Sequence, residues 1–214
     1  GDGDTVACRI AAIASGVRHA LRCGPGVTPV SVYLRPEIQP GTAVNALARA
    51  GGGIWVSDDS TLCDSTATVL RYSGLASATR HVIAALPTVD VDNAHPQLRR
   101  AVDVVRADHA DAGDLSAVAR AVALSPDYLG RLFARQNGVS FSTTTRWLRL
   151  LAGLGHITQG ESVTDAAHAA GFTDGAHANR ACWELMGAAP SGLARALAKQ
   201  DGSVQAHRGA PQAR

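Results

Sequence analysis

Arginine is the residue type in this sequence best suited to specific recognition chemistry. All but one of its 20 basic residues are arginine, the exception being Lys199. A guanidinium group presents a planar fork of N–H donors that pairs bidentately with a phosphate or with the edge of a guanine base. Because the formal net charge is only +2, recognition would depend on a few well-placed arginines rather than on overall attraction.

Other motifs that carry chemistry are missing from the sequence. It contains no GxSxG elbow, no HExxH pair, no Walker loop and no GxGxxG fingerprint. His168 and His177 lie near Cys182 along the chain, but their spacing alone is weak evidence for a metal site. We therefore expect no catalytic residue, no metal ligand and no cofactor, and predict that the chain is not an enzyme.

Composition indicates a globular protein, since apolar residues make up 46% and charged residues 18% of the 214 positions. No apolar run approaches the ~20 residues of a membrane span, and the first residues lack the pattern of a secretory signal. Four scattered cysteines without a CxxC pair suit a reducing compartment. These features predict a cytoplasmic protein with no membrane partner.

The composition changes near residue 93, which suggests a boundary. Before it, Gly and Pro are frequent, and the short β-prone stretches Val30–Leu34 and Ile54–Val56 predict strands, while Thr66–Leu86 has helical periodicity. After it the chain is predicted to be helical to about Lys199. The first of these helices, His95–His109, is expected to have Asn93 or His95 as its cap, Pro96 in its first turn and a core face formed by Leu98, Ala101, Val102 and Val105.

The strongest signal is an internal repeat. LSAVARAVALSPDYLGRLFARQNG at 115–138 corresponds to VTDAAHAAGFTDGAHANRACWELMG at 163–187, with one extra residue in the second turn. Each copy predicts a helix-turn-helix: Ser116 or Thr164 caps a short Ala-rich helix, and a turn buries Leu124 or Phe172. A second cap, Ser125 or Asp174, then opens a longer helix that stops at Gly138 or Gly187.

The longer helix of each copy has an apolar face and a polar face. In the first copy Leu129, Leu132 and Phe133 are predicted core, while Asp127 and Arg131 share the other side with Ala134, and Tyr128 and Arg135 lie beside them. In the second copy the outward side carries Gly175, Ala176, Asn179 and Arg180. A polar strip containing Arg at this place is typical of a helix that reads base edges in a major groove.

Between the copies, Ser142–Thr158 predicts one connecting helix of roughly 25 Å. A rod of that length could hold two recognition helices about one DNA turn apart, near 34 Å. Two motifs in one chain could then read two successive major grooves on one face of a duplex.

Residues 95–198 resemble the DNA-binding domain of the AraC/XylS family of bacterial transcription regulators. The stretches that carry the resemblance are SPDYLGRLFARQNGVSF at 125–141, RWLRLL at 146–151, GESVTDAAHAAGFTDGAHANR at 160–180 and GAAPSGL at 187–193. The resemblance implies two helix-turn-helix motifs joined by a helix, binding asymmetric DNA sites as an activator or repressor. It places the base-reading positions on Asp127, Gly130 and Arg131, and on Gly175, Ala176, Asn179 and Arg180.

The chain also departs from the family pattern. Ala178 and Cys182 stand where Phe is usual, and Trp183 and Leu185 could refill the space although they fall on different faces. Ala123 occupies a turn position where Gly is usual. We expect the second motif to be less stable than the first, because a lost core side chain is costly when nothing refills its place. For His177, which matches the family, a packing or phosphate-side role is favoured over metal binding.

The front of the chain, ASGVRHAL at 14–21 and VSVYLRPE at 30–37, resembles the closing strands of a cupin-like sensor barrel. His19 would be the only remaining ligand of the family's metal site, which needs three or four, so an ordinary strand-end histidine is favoured. A small-molecule effector is not expected, because most of the pocket wall is missing.

These observations predict a mainly α C-terminal domain with two helix-turn-helix motifs, preceded by a small α+β remnant of a cupin-like β-barrel. The predicted segments are residues 1–40, a partial cupin-like β segment; 41–92, a helical connection and dimer segment; 93–199, the twin helix-turn-helix DNA-binding domain; and 200–214, a disordered tail.

The predicted function is sequence-specific binding to a double-stranded DNA operator. RNA polymerase and a second copy of the chain are further partners that the sequence leaves open. The predicted contacts are Ser125 and Asp174, whose helix starts would hold phosphates, together with Asp127, Tyr128, Gly130, Arg131, Gly175, Ala176, Asn179 and Arg180. There are two alternatives: a degenerate regulator that acts as a protein-interaction adaptor, and a cupin-type metal-binding protein.

Overall fold

The computed structural model describes residues 5–25, 27, 29–91, 94–108 and 113–195. The chain divides into two compact units, Gly1–Pro96 with Arg135–Gly138, and Gln97–Ala134 with Val139–Arg214. The expected cap Asn93, the expected helix end at His109 and the tail at 200–214 lie outside the described residues.

Helices make up most of the described residues, and one two-stranded sheet accompanies them, which confirms the predicted fold class at this level. In chain order the elements are β1 (Ile10–Ile13), α1 (Gly41–Ala50), β2 (Ile54–Ser57), α2 (Ser60–Ala85), α3 (Pro96–Ala107), α4 (Leu115–Ala121), α5 (Pro126–Leu132), a π-helical turn (Phe133–Asn137), α6 (Phe141–Thr158), α7 (Val163–Ala169) and α8 (Gly175–Met186). Among the helices described, none is long and apolar enough to cross a bilayer.

The sheet belongs to the first unit. β1 and β2 pair antiparallel, with Ile10 opposite Ser57 and Ile13 opposite Ile54, so the strand predicted at 54–56 is confirmed. The strands and α1 enclose a small core of buried alanines, Ala12, Ala14 and Ala48, with Val17, Val44 and Trp55 packed against it. Such small side chains allow the strand and the helix to approach closely.

The strand predicted at Val30–Leu34 is wrong. These residues have no regular secondary structure, and Val30, Val32 and Tyr33 are 49%, 45% and 58% exposed. A β-prone stretch becomes a strand only when a neighbouring strand satisfies its backbone groups. The observed sheet instead pairs Ile10–Ile13 with β2, and no described strand lies beside Val30–Leu34.

The histidine considered as a metal ligand lies shortly after the turn that follows β1. Gly16 lies in this turn with φ of 85°, and the exposed His19 has its Nδ1 3.0 Å from the carbonyl oxygen of Val17. Within the described ranges, no group of His, Cys, Asp and Glu side chains is arranged to hold a metal ion.

Helix α2 is a helical hairpin rather than one straight rod. Gly74 has φ of 79° and ψ of 175°, which breaks the helix near its middle. The hydroxyl of Ser65 lies 2.9 Å from Nε2 of His81, sixteen residues later. In a straight helix that separation would be about 24 Å, so the two halves fold back on each other.

Helix α3 starts at Pro96, as the sequence predicts, because proline at a helix start has no N–H that needs an intrahelical partner. Its apolar face is buried as expected, and comprises Leu98, Ala101, Val102 and Val105. This face contributes several of the largest fully buried side chains.

Candidate nucleic-acid interface

The first helix-turn-helix consists of α4 and α5, which pack against each other. Asp114 caps α4 by accepting a hydrogen bond of 2.8 Å from the backbone N–H of Ser116. The expectation that Ser116 is the cap is therefore wrong. The aspartate two residues earlier provides the acceptor, and Ser116 is already inside the helix.

The turn of the first motif holds a residue in a left-handed conformation. Ala123 has φ of 57°, and Gly171 at the corresponding place in the second motif has φ of 80°. The N–H of Leu124 donates to the carbonyl of Ala119 at 2.9 Å, and the N–H of Phe172 makes the equivalent bond at the same distance. The two turns share a backbone path that favours glycine, and the first motif follows it with alanine.

Ser125 caps α5 as predicted. Its hydroxyl accepts a hydrogen bond of 3.3 Å from the N–H of Tyr128, and Pro126 occupies the first turn. Leu124, expected to be buried in the turn, is only half-buried, whereas the neighbouring Val122 is fully buried. The packing contact of the turn is therefore made two residues earlier than expected.

The inner face of α5 forms core, as predicted. Leu129, Leu132 and Phe133 are fully buried, and the Phe133 ring meets the Phe141 ring edge to face at 5.4 Å. The last turn before Gly138 is π-helical, which the sequence did not predict, and Gly138 ends it with φ of 78°.

The outer face of α5 presents polar side chains to solvent. Asp127 and Arg131 are exposed, and Tyr128 and Gly130 are half-buried beside them. The guanidinium carbon of Arg131 lies 6.0 Å from the centre of the Tyr128 ring, within reach of a cation–π contact. Arg131 makes no salt bridge with any described residue, so its N–H donors are available to a ligand.

Helices α7 and α8 form the second motif, and they pack against each other. Ser162 caps α7, accepting from the N–H of Asp165 at 3.1 Å and donating to its carboxylate at 2.6 Å. The expected cap Thr164 is therefore wrong, by the same shift as in the first motif. In the following turn Phe172 is buried, as predicted, and its ring meets the ring of His177 edge to face at 5.3 Å.

Asp174 caps α8, as predicted. Its carboxylate accepts a hydrogen bond of 2.6 Å from the N–H of His177. This bond, more than any other cause, lowers the pKa of Asp174, and the nearby positive charge of Arg180 acts in the same direction. The cap is therefore ionised at neutral pH, and its contribution to stability is fully present above the ordinary pKa of a carboxyl group and is lost as the pH falls from there through the lowered pKa.

The outer face of α8 repeats the arrangement on α5. Ala176, Asn179 and Arg180 are exposed, and Gly175 is half-buried. Arg180 makes no salt bridge with any residue in the described part of the chain. Both motifs therefore carry an arginine at the corresponding position on the solvent side of the longer helix.

The connecting helix α6 begins one residue before its predicted start. Ser140 caps it by accepting from the N–H of Thr143, and its 18 residues give a rod of about 27 Å. It packs against both helices of the second motif and contributes Leu150 and Leu154 to their core. The same helix therefore leads out of the first motif and forms one wall of the second.

The core of the second motif is built from small residues. Ala178 and Cys182 are buried where larger side chains were expected from the family pattern, and a small apolar pocket, partly open to solvent, is lined by residues of α6, α7 and α8 and by Pro190. Burial raises the pKa of the Cys182 thiol. Leu185 packs against this core, whereas Trp183 is 56% exposed, so the expectation that it could refill the space is wrong.

The sequence did not predict one salt bridge between α6 and α8. Arg146 on α6 forms a salt bridge of 2.8 Å with Glu184 on α8. The two residues are distant in sequence, and neither lies in a capping or i,i+4 pattern with the other. Their pairing depends on how the two helices pack, which no local signal reveals.

Comparison with known proteins places a domain on this part of the chain. Residues 118–196 match a family model described as "Helix-turn-helix domain". A solved transcriptional regulator from Chromobacterium violaceum, of the AraC-type DNA-binding domain-containing proteins, is 26% identical over 49% of this chain and 94% of its own, with a TM-score of 0.46. The C-terminal domain of AraT, a response regulator from Geobacillus stearothermophilus, is 21% identical over 49% and 88%, with a TM-score of 0.44. No curated protein matches the chain.

Residues 118–196 therefore match a helix-turn-helix domain, in agreement with the motifs predicted from the sequence. The match begins inside α4, covers α5 to α8, and spans less than half of the chain. The cupin-like remnant at the front is not confirmed and stays a prediction.

Proposed function

We propose that this protein is a sequence-specific DNA-binding transcription regulator, in which α5 and α8 enter successive major grooves of one duplex. The observation that carries the proposal is the repeated exposed arginine. Arg131 and Arg180 lie at matching positions of the two motifs, and no described acidic side chain forms a salt bridge with either, although the charge of Asp174 acts on Arg180 from nearby.

The chemistry of these two side chains suits base recognition. A guanidinium fork pairs bidentately with O6 and N7 of guanine, the commonest specific contact in protein–DNA complexes. Asp127 lies one turn before Arg131, and Asn179 directly precedes Arg180. A carboxylate accepts from cytosine and an amide pairs with adenine, so these neighbours would tune the choice of base.

The length of α6 supports simultaneous reading by both motifs. A rod of about 27 Å is comparable to the ~34 Å rise of one DNA turn, the spacing between major grooves on one face of a duplex. Small outward residues on α8, Gly175 and Ala176, would let its backbone come close to the base edges.

The test is the affinity of the full chain for a duplex that the wild-type protein selects from a random DNA pool. Arg131→Ala and Arg180→Ala should each weaken specific binding by about 1–3 kcal/mol. Arg106→Ala is the control, because it removes the same charge from an exposed position on α3 outside the proposed contact set.

The expected control result is a small change in affinity that is equal for selected and unrelated duplexes. If Arg131→Ala and Arg180→Ala change the affinity for the selected duplex no more than Arg106→Ala does, the proposed function is wrong. It is also wrong if the selection enriches no sequence.

A further inference from the structure

Trp183 is the most exposed large apolar side chain of the helix-turn-helix domain. It lies in the second half of α8 with 56% of its surface accessible. No hydrogen bond or ring contact joins it to any described residue, so its indole N–H has no partner there. Tryptophan is enriched among the residues that contribute most to binding at protein interfaces.

The position of Trp183 on α8 is specific. It follows Ala176 by seven residues and Asn179 by four, which places it about 20° and about 40° from them around the helix axis. It therefore extends the outward stripe of Ala176, Asn179 and Arg180 by one turn. The corresponding residue of the first motif is Ala134, which is also exposed but small.

The neighbouring acidic residue does not prevent contact with DNA. Glu184 would repel phosphates if its charge were unopposed, but it pairs with Arg146 at 2.8 Å. The pair brings no net charge to this end of α8, so the indole is free to approach a groove wall.

We propose that Trp183 is a specificity-determining residue that packs against the 5-methyl group of thymine in the groove entered by α8. This inference rests on the proposed function. Thymine is the base that offers an apolar group in the major groove, and apolar side chains recognise it by contact. The second motif would thus read a thymine by apolar contact beside the base read by Arg180, whereas the first motif has no such residue.

The experiment uses the full chain and a duplex selected by it from a random pool. The DNA segment contacted by α8 is identified as the part of the selected sequence for which Arg180→Ala no longer shows a base preference. Each thymine in that segment is then replaced in turn by uracil, which lacks only the 5-methyl group. One replacement should weaken wild-type binding about threefold to fourfold, the value of one buried methyl group. Trp183→Ala should bind the thymine duplex more weakly and show no further loss with uracil, since the two changes remove the same contact.

Two further variants serve as controls. Trp183→Phe keeps an aromatic surface and should retain sensitivity to uracil. Tyr72→Ala truncates another exposed aromatic, 79% accessible and outside the helix-turn-helix domain, and should leave both affinity and uracil sensitivity unchanged.

The outcomes are distinguishable. If Trp183→Ala binds like the wild type, or remains as sensitive to uracil as the wild type, this inference is overturned while the proposed function stands. If no thymine in the segment responds to uracil in the wild type, the inference is overturned as well. A pool that enriches no sequence overturns both.

Discussion

Replacing Ala123 by glycine should stabilise the first motif. At φ of 57°, alanine holds a conformation that costs an L-residue roughly 1–2 kcal/mol, whereas glycine adopts it freely. The methyl group of Ala123 is exposed, so its removal gives up no packing. Against this gain stands the greater freedom of glycine in the unfolded chain, about 0.5–1 kcal/mol. The central values leave a net gain of about 0.75 kcal/mol, or a few degrees in Tm.

The matched control is Ala121→Gly, two residues earlier at the end of α4. It makes the same substitution at an exposed position, but there the backbone is helical, and glycine should destabilise by about 1 kcal/mol. Thermal unfolding of the full chain, with amide exchange of α4 and α5, would measure both variants. If both substitutions shift stability in the same direction, the reasoning from φ is refuted.

Two further predictions concern α6 and the second motif. Gly155→Ala should raise the free energy of unfolding by about 1 kcal/mol, because a Cβ there meets no atom within 4 Å and alanine is the better helix former. Gly187→Ala, at φ of 68°, should lower it. Equal effects of the two substitutions in thermal unfolding would contradict this prediction. In hydrogen exchange, the amides of residues 178–182 in the second motif should exchange faster than those of residues 129–133 in the first motif. The reason is that alanines and a cysteine fill less of the core than leucines and a phenylalanine do. Equal protection of the two ranges would show that the motifs are equally stable.

Much of the C-terminal domain could be predicted because its signals are local and occur twice. The caps Ser125 and Asp174 and the stops at Gly138 and Gly187 are fixed by the chemistry of single residues at helix ends. The unusual backbone at Ala123 was predictable because the second copy has glycine in its place.

The features that were missed depend on packing between elements. Val30–Leu34 has the composition of a strand but no described partner strand. β1 instead pairs with β2, which follows α1 in the chain. The Arg146–Glu184 salt bridge and the exposure of Trp183 follow from how α6 and α8 meet, and sequence periodicity does not specify that contact. The caps Asp114 and Ser162 were each missed by two residues, because several acceptors precede the helix and the pattern does not distinguish them.

The most direct test of twin recognition is to compare the sequences that the wild type, Arg131→Ala and Arg180→Ala each select from one random DNA pool. The wild type should select two short blocks of preferred sequence whose centres lie about 10–10.5 base pairs apart. Each variant should lose the preference in a different block and keep the other. A single block, or the loss of the same block in both variants, would contradict reading by two helices of one chain.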